Sequence, residues 1–468
     1  MAEKELAEPA EEDVLWQVLR LAFPVVVEQS LILLVSFTDW WLTSQFLEGP
    51  DYKAAMALMG YLLWWFSSSF AFISIGASAL TSRYIGAHDE ASANRVAQQS
   101  LAIGLVLSVV LTIFLAIFGS SIIDLMQLQG RPGELTEEFL SIVLWSMPAI
   151  MFEQVGIACL QGSGDTISGF VARALVVLVN LVVSLSFVVG WGPFPELGWE
   201  GIALGTTTGH YVGGGLVLLM LLYGRSGLHI ASVKFAFDWD LAWRILQIGI
   251  PAGIDVFIIL TCHFTYLAII NRQGAQATAA HGLGVNIESL AYLPGSAFQV
   301  AASTLTGQYL GAKQPRTAMR AALTALVLGG GFMTLAGIGF YFFSEAFVGV
   351  FSSPKDAVTA EISAQLLKVV AWSMPSLATV LVLSGALRGA GDTRWLFVIT
   401  LIGFVGVRIP FALWLACNEI EFPLIGITIT GWGLGVFGAW YAMVADVILR
   451  SLLLTFRYWQ GHWQEVEV

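Results

Sequence analysis

Acidic side chains interrupt runs of sequence that are otherwise apolar, and their spacing limits what they can do. In PVVVEQSLILLVSFTDWW, Glu28 and Asp39 lie eleven residues apart. That is three turns at about 3.67 residues per turn, so both carboxylates share one face of a helix, about 16 Å apart along its axis. Asp255 and His263 are eight apart in a comparable run, and Glu288 stands one turn before Tyr292. Arg408 interrupts FVGVRIPFA, and Asp446 and Arg450 have the four-residue spacing of a helical ion pair. A carboxylate in hydrocarbon costs on the order of a few kcal/mol unless it is paired, protonated or hydrated. The chemistry on offer is reversible uptake of a proton or metal cation, or ion pairing between helices. His263, read as the histidine deep within a span, either titrates or packs. Phe37, Trp64, Trp65, Phe66, Tyr266 and Tyr292 are rings of the kind that face a flat hydrophobic cation, or that pack against core and lipid.

The elements that must position these groups are membrane helices. Apolar residues make up 57% of the 468-residue chain and charged residues 12%, against about 25% charged in a soluble domain; the mean hydropathy is +0.78. Runs such as Leu101–Ser120, Val171–Gly190 and Ala321–Phe343 are long enough for a hydrocarbon core of about 30 Å. The alternating pattern of a membrane barrel is absent from the sequence. Twelve spans are predicted, near 15–47, 55–84, 93–120, 137–162, 167–191, 200–224, 241–272, 277–310, 317–345, 357–388, 394–417 and 430–458. With the termini and alternate loops grouped together, that side holds fifteen of the 21 lysines and arginines and the other side five. The positive-inside rule then places both termini in the cytoplasm of a multi-pass protein of the cell (inner or plasma) membrane. The acidic start, MAEKELAEPAEEDVLWQVL, lacks the basic region and cleavage site of a secretory signal. Cys159, Cys262 and Cys417 have no metal or disulfide spacing, so no metal and no cofactor are expected. A net charge of −12 would argue against nucleic acid in a soluble protein; in a membrane chain it says less, because the sign matters by location, and no nucleic acid is expected.

The chain then repeats itself. WSMPAIMFEQVGIACLQGSGDT (Trp145–Thr166) returns as WSMPSLATVLVLSGALRGAGDT (Trp372–Thr393), ten of 22 positions identical. SALTSRYIGAHDEASANR (Ser78–Arg95) returns as STLTGQYLGAKQPRTAMR (Ser303–Arg320), eight of 18 identical, and FPVVVEQ is matched by IPAGIDV. Each copy holds six spans, an even number, so both enter the membrane in the same direction as a parallel repeat. The expected organisation is an N-terminal tail (1–14), a six-helix lobe (15–224), a cytoplasmic linker at the interface (225–240), a second lobe (241–458) and a C-terminal tail (459–468). In full it is an all-α membrane protein, with twelve transmembrane helices in two parallel-repeat six-helix lobes around a central cavity. Asp255 falls at symmetry with Glu28, either flanking the cavity or pairing near a proline bend. Glu153 has no counterpart, since Val380 stands there. It reads either as a polar site confined to the N-terminal lobe or as the partner of Arg173.

The twelve spans, the string GALRGAGDT (Gly385–Thr393), its weaker copy CLQGSGDT, and QYLGA after the eighth span resemble the multidrug and toxic compound extrusion (MATE) family over nearly the whole chain. The resemblance implies a secondary antiporter, working by alternating access, that exports organic and often cationic compounds in exchange for H⁺ or Na⁺. It implies a coupling role for Asp39, fifteen residues after Pro24, and a supporting one for Asn180. The chain departs from the family pattern where Ser184 replaces an aspartate four residues after Asn180, and where Ile259 replaces a seventh-span glutamate. The expected ion-coupling set is Asp39, Glu28, Glu153 and Asn180; the substrate-cavity candidates are Asp255, His263, Glu288, Tyr292 and Tyr266. Expected partners are small organic substrates and the lipid bilayer, with the chain a monomer. The motifs of metallopeptidases, serine hydrolases and P-loop ATPases are missing from the sequence, which argues against an enzyme. A flippase for lipid-linked saccharides, from the same superfamily, is the alternative; it would favour a cationic interior, whereas this one has more acids than bases.

Overall fold

The computed structural model describes residues 11–125, 130–351, 357–422 and 427–466. Residues 1–10 of the expected N-terminal tail, the last two of the C-terminal tail and the loop carrying Lys355 lie outside the described residues. The first half of the chain forms α1 (Glu11–Phe46), α2 (Pro50–Ser69), α3 (Ala71–Gly86), α4 (Glu90–Leu125), α5 (Arg131–Val143), α6 (Met147–Gly162), α7 (Thr166–Val189) and α8 (Trp199–Tyr223). The second half forms α9 (Trp239–Asn271), α10 (Ala275–Gly311), α11 (Pro315–Phe342), α12 (Ser344–Phe351), α13 (Ala357–Ala371), α14 (Met374–Ala390), α15 (Thr393–Leu401), a π-helical stretch (Ile402–Arg408), α16 (Ile409–Ala416) and α17 (Val436–Trp459). Among the described residues nine helical segments are long and apolar enough to cross a membrane, and the α13–α14 pair makes ten. The remaining two of the twelve spans are α8 and α10, long helices whose apolar character is diluted by glycine and polar residues. On α4 the exposed residues Val106, Val110, Ile113 and Ile117 form one apolar stripe. Water would not tolerate that stripe; lipid does.

The repeated strings are structural devices. In both copies WSMP marks a break within a span: the proline falls in the first turn of α6 and of α14, where a missing N–H costs nothing. The second break bends its span by 57°. Trp145 and Trp372, beside the two breaks, both point outward. Within each half the two repeated strings touch. A Cβ on Gly162 would strike the backbone of Ser78, and one on Gly389 would strike the backbone of Ser303. The sequence is written twice because each half needs the same close crossing of two helices.

Helix α8 carries glycine at 201, 205, 209 and 213, one per turn, and this stripe lies against Phe187, Ser184, Val176 and Asn180 of α7. Small residues at this spacing let two helix backbones approach closely in a membrane. Thr206, beside the stripe, is thereby set against Asn180 of α7, while His210 reaches Glu153 of α6.

The linker is anchored rather than free. Asn94, Gln98 and Gln99 of α4 donate to the carbonyls of Gly227, Ile230, Val233 and Ala236, and Ile230 is buried. Phe235, Phe237 and Trp239 stay exposed. A two-stranded antiparallel hairpin, β1 (Glu419–Phe422) and β2 (Ile427–Thr430), precedes α17 with Glu419 opposite Thr430. It was not expected from the sequence. The chain divides into two compact units: one holds Leu21–Gly253 with Gly311–Lys313, the other α1 up to Arg20, Ile254–Leu310 and the chain from Gln314 onward. Their cores centre on Met59, Phe66, Phe139 and Met147 in the first and on Met333, Leu366, Met374 and Trp440 in the second.

Candidate functional site

In the N-terminal unit α1 and α7 run in register. Glu28 lies against Gly169, where a Cβ would come within 2.9 Å of its carboxylate. Asp39, eleven residues on, meets Asn180, also eleven residues on. Both acids are buried at 3% exposure, so the shared helix face read from their spacing is the face turned into the unit. The Asp39 carboxylate accepts from Asn180 Nδ2 at 3.2 Å and from Thr206 Oγ1 at 3.2 Å. Asn180 Nδ2 also reaches Thr206 Oγ1 at 3.2 Å, while Asn180 Oδ1 is buried without a partner. Ser184 is buried too, but its hydroxyl turns to the Ile202 carbonyl at 3.4 Å. Glu28 accepts from Gln161 Nε2 at 3.2 Å.

Glu153 does not join Asp39. Fully buried on α6, it pairs with Arg173 at 2.5 Å and with His210 Nδ1 at 2.8 Å. Of the two readings of Glu153, the pairing with Arg173 is the one the geometry displays. His210, Thr206 and Gln161 are the residues the sequence reading missed. His210 also joins His263 as another histidine within a span. His263 lies within α9, its Nδ1 on the Ile259 carbonyl at 2.8 Å and its ring beside Phe404, and His210 lies within α8. The available signal was the pair Thr206 and His210, one turn apart and framed by glycines.

In the C-terminal unit Asp255 is buried and paired with Arg388 at 3.1 Å. Asp446 of α17 holds two cations, Arg408 at 2.7 Å and Arg450 at 2.8 Å, and both guanidiniums lie over the Phe404 ring. Arg408 ends the π-helical stretch, a form common at functional sites, and also faces the ring of buried Tyr266 at 5.8 Å. Tyr266 meets His281 edge-on, and His281 accepts from Trp440 at 3.2 Å. Glu288 is half-buried within electrostatic reach of Arg408; Tyr292, one turn on, is exposed. The structure therefore gathers Tyr266 and Glu288 around Arg408 but keeps Asp255 with Arg388. At the helix ends Asp165 accepts from Ser168, Arg225 and Ser226, and Asp392 accepts from Arg457.

These features define a polytopic α-helical membrane protein with buried acids in both halves and two internally matched copies. The comparisons agree. The MatE family model matches residues 24–185 and again 251–414, so its two copies begin at the two matched prolines, Pro24 and Pro251. A probable multidrug resistance protein NorM of Thermotoga maritima is 27% identical over 451 residues, covering 96% of this chain and 93% of its own. The multidrug resistance protein NorM of Burkholderia vietnamiensis is 28% identical, covering 94% and 92%. Among solved structures, a multidrug resistance MATE family transporter in an outward-facing conformation matches with a TM-score of 0.85 at 19% identity, over 97% of each chain. A MOP superfamily transporter from Pyrococcus furiosus, described as having a binding pocket of reverse polarity, matches with a TM-score of 0.86 at 20% identity, again over 97% of each chain. This chain belongs to the MatE family and is a membrane transporter, not an enzyme.

Proposed function

We propose that the protein is a secondary active multidrug antiporter. It exports organic, cationic and amphipathic compounds by alternating access, in exchange for H⁺ or Na⁺, as a monomer built of the lobes 15–224 and 241–458. The observation that carries this reading is the environment of Asp39. Glu153, Asp255 and Asp446 are each ion-paired, whereas among the described residues Asp39 is buried against the neutral donors Asn180 and Thr206. A buried carboxylate with no cation of its own is a place for a mobile one. A coupling ion and a cationic substrate competing for one negative charge give exchange, because each weakens the binding of the other. Glu28, which accepts from neutral Gln161 and lies within electrostatic reach of Arg173, supplies a second buried negative charge.

The orientation with both termini in the cytoplasm keeps its support after correction. Arg173, Arg388 and Arg450, counted among the loop cations, belong to buried ion pairs. Twelve cations then remain on the cytoplasmic side against five. The test is efflux of ethidium from everted vesicles with the H⁺ and the Na⁺ gradient collapsed in turn. Export should stop with one of them. Export indifferent to both, or driven only by ATP, would end this reading.

A further inference from the structure

Along α7 the polar contacts of the N-terminal unit fall at four levels. Asp165 caps the helix, Gly169 faces Glu28, Arg173 faces Glu153, and Asn180 faces Asp39. Arg173 is four residues above Gly169 and seven below Asn180, about 6 and 10 Å along the axis. His210 enters at the Arg173 level through Glu153, and lies one turn of α8 from Thr206, which itself donates to Asp39. The pair that holds the imidazole therefore meets α7 at a level between those of Glu28 and Asp39.

Its chemistry follows from its partner. Glu153 is ion-paired with Arg173 and acts as an acceptor, so His210 Nδ1–H donates to it. That fixes the tautomer and leaves the Nε2 lone pair free, on a side chain that keeps 13% of its surface exposed. An imidazole so held can take a proton at Nε2 and forms its imidazolium against a carboxylate already in contact. The charged groups facing it are Glu153 from α6 and Arg173 from α7, with Glu28 of α1 beyond Arg173 and Asp39 of α1 one turn away. Further neighbours stand at the ends of α8. The α5 acids Glu134, Glu137 and Glu138 flank Leu135, whose carbonyl accepts from Trp199, and His229 lies beyond Tyr223.

We propose that His210 is a proton-carrying group of the N-terminal unit. Its Nε2 takes a proton from water when the organic cation leaves, and returns that proton to water when the next cation binds. Only a proton moves; the Nδ1–H···Glu153 bond persists throughout. The proposal rests on the reading of this unit as the ion-coupled one, and it makes the coupling ion a proton.

Glutamine at 210 separates this role from a structural one, because it can still donate to Glu153 but cannot titrate. The full-length protein, in lightly buffered detergent with a pH indicator, is mixed with saturating rhodamine 6G, and the protons released are counted between about pH 5 and 8, where an imidazole titrates. The wild type should release an imidazole proton in addition to the Asp39-dependent one. His210→Gln should lose that component and keep the Asp39-dependent one; Asp39→Asn should do the reverse. His210→Gln indistinguishable from wild type overturns the proposal and leaves the Asp39 reading intact. An unchanged Asp39→Asn instead removes the Asp39 reading. A second measurement needs no substitution at position 210. Histidine-selective ¹⁵N NMR of the wild type, assigned by replacing the other histidines singly, should show the His210 ring changing protonation state when rhodamine 6G is added. A His210 that keeps one protonation state throughout overturns the proposal.

Discussion

The two halves place their first acid at matched positions and then treat it differently. Glu28 and Asp255 are 227 residues apart, and so are the side chains that bind them, Gln161 and Arg388. The N-terminal acid has a neutral donor and the C-terminal acid a cation. Asp39 has its counterpart in Tyr266, so where one half carries a carboxylate between Asn180 and Thr206, the other carries a phenol under Arg408. Arg408 falls one residue past the counterpart of Asn180, and the π-helical stretch supplies a residue's worth of shift at that point. The two copies thus share their helix crossings, while uncompensated negative charge is found in one of them. With histidines neutral, Glu28, Asp39 and Glu153 against Arg173 leave the N-terminal set at −2. Asp255, Glu288 and Asp446 are balanced by Arg388, Arg408 and Arg450. Acids that must exchange a mobile cation belong where no fixed cation competes.

The sharpest way to break this comparison is to neutralise one acid of each kind. Asp39→Asn keeps the size of the side chain and its contacts with neutral groups, so the protein should accumulate in the membrane as the wild type does. Gradient-driven ethidium efflux should fall about a hundredfold, the upper end of ordinary coupling free energies. Asp255→Asn removes a charge that Arg388 already neutralises and should cost less than about fivefold. The reverse ranking, measured in the same vesicles, would move the coupling site to the C-terminal unit.

Asp446 tests the other arm of the comparison. Asp446→Asn leaves Arg408 and Arg450 buried together over Phe404 with no anion between them. Losing one partner of a buried ion pair typically costs about 3–5 kcal/mol. Thermal unfolding in detergent should therefore drop sharply for Asp446→Asn and barely move for Asp39→Asn. Equal stability losses in the two variants would mean that partner charge does not separate structural from coupling acids.

The helices, the duplication and the shared face of Glu28 and Asp39 were legible because each follows from a period: span length, a fixed offset, three turns. The Asn180 contact came from family likeness and the Arg173 pairing from the cost of an unpaired charge. His210 stayed hidden because a histidine in a glycine-rich helix carries no periodic signal, and its meaning depends on Glu153 arriving from another helix. Arg388 was read as a loop cation because it stands beside a turn string, although its side chain reaches inward to Asp255. The π-helical stretch is invisible to patterns that assume 3.6 residues per turn. The β1–β2 hairpin was passed over because its alternation, ITIT, is only four residues long.

The smallest effect concerns the two GDT turns, which share sequence but not wiring. Asp165 accepts the Ser168 amide and hydroxyl, Arg225 Nε at 2.7 Å and Ser226 Oγ at 3.1 Å, whereas Asp392 is held by Arg457 at 2.8 Å. Burial by itself would raise the Asp165 carboxyl, but the bonds from Arg225 and Ser168 outweigh it and hold the group below the ordinary aspartate range. A carboxyl held low in the folded state stabilises the fold above its unfolded value of about 3.9 and loses that contribution as pH falls below it. Asp165→Asn keeps one cap acceptor but loses the charge, and should cost about 1 kcal/mol at neutral pH. The difference from wild type should shrink in acid. Asp392→Asn should cost less, since fewer groups depend on it, and neither change should alter which ion gradient drives export. Unfolding curves of both variants across acidic and neutral pH measure the first claim; efflux under each gradient measures the second. A larger loss for Asp392→Asn would mean that the C-terminal turn, despite its fewer bonds, is the one that secures its helices.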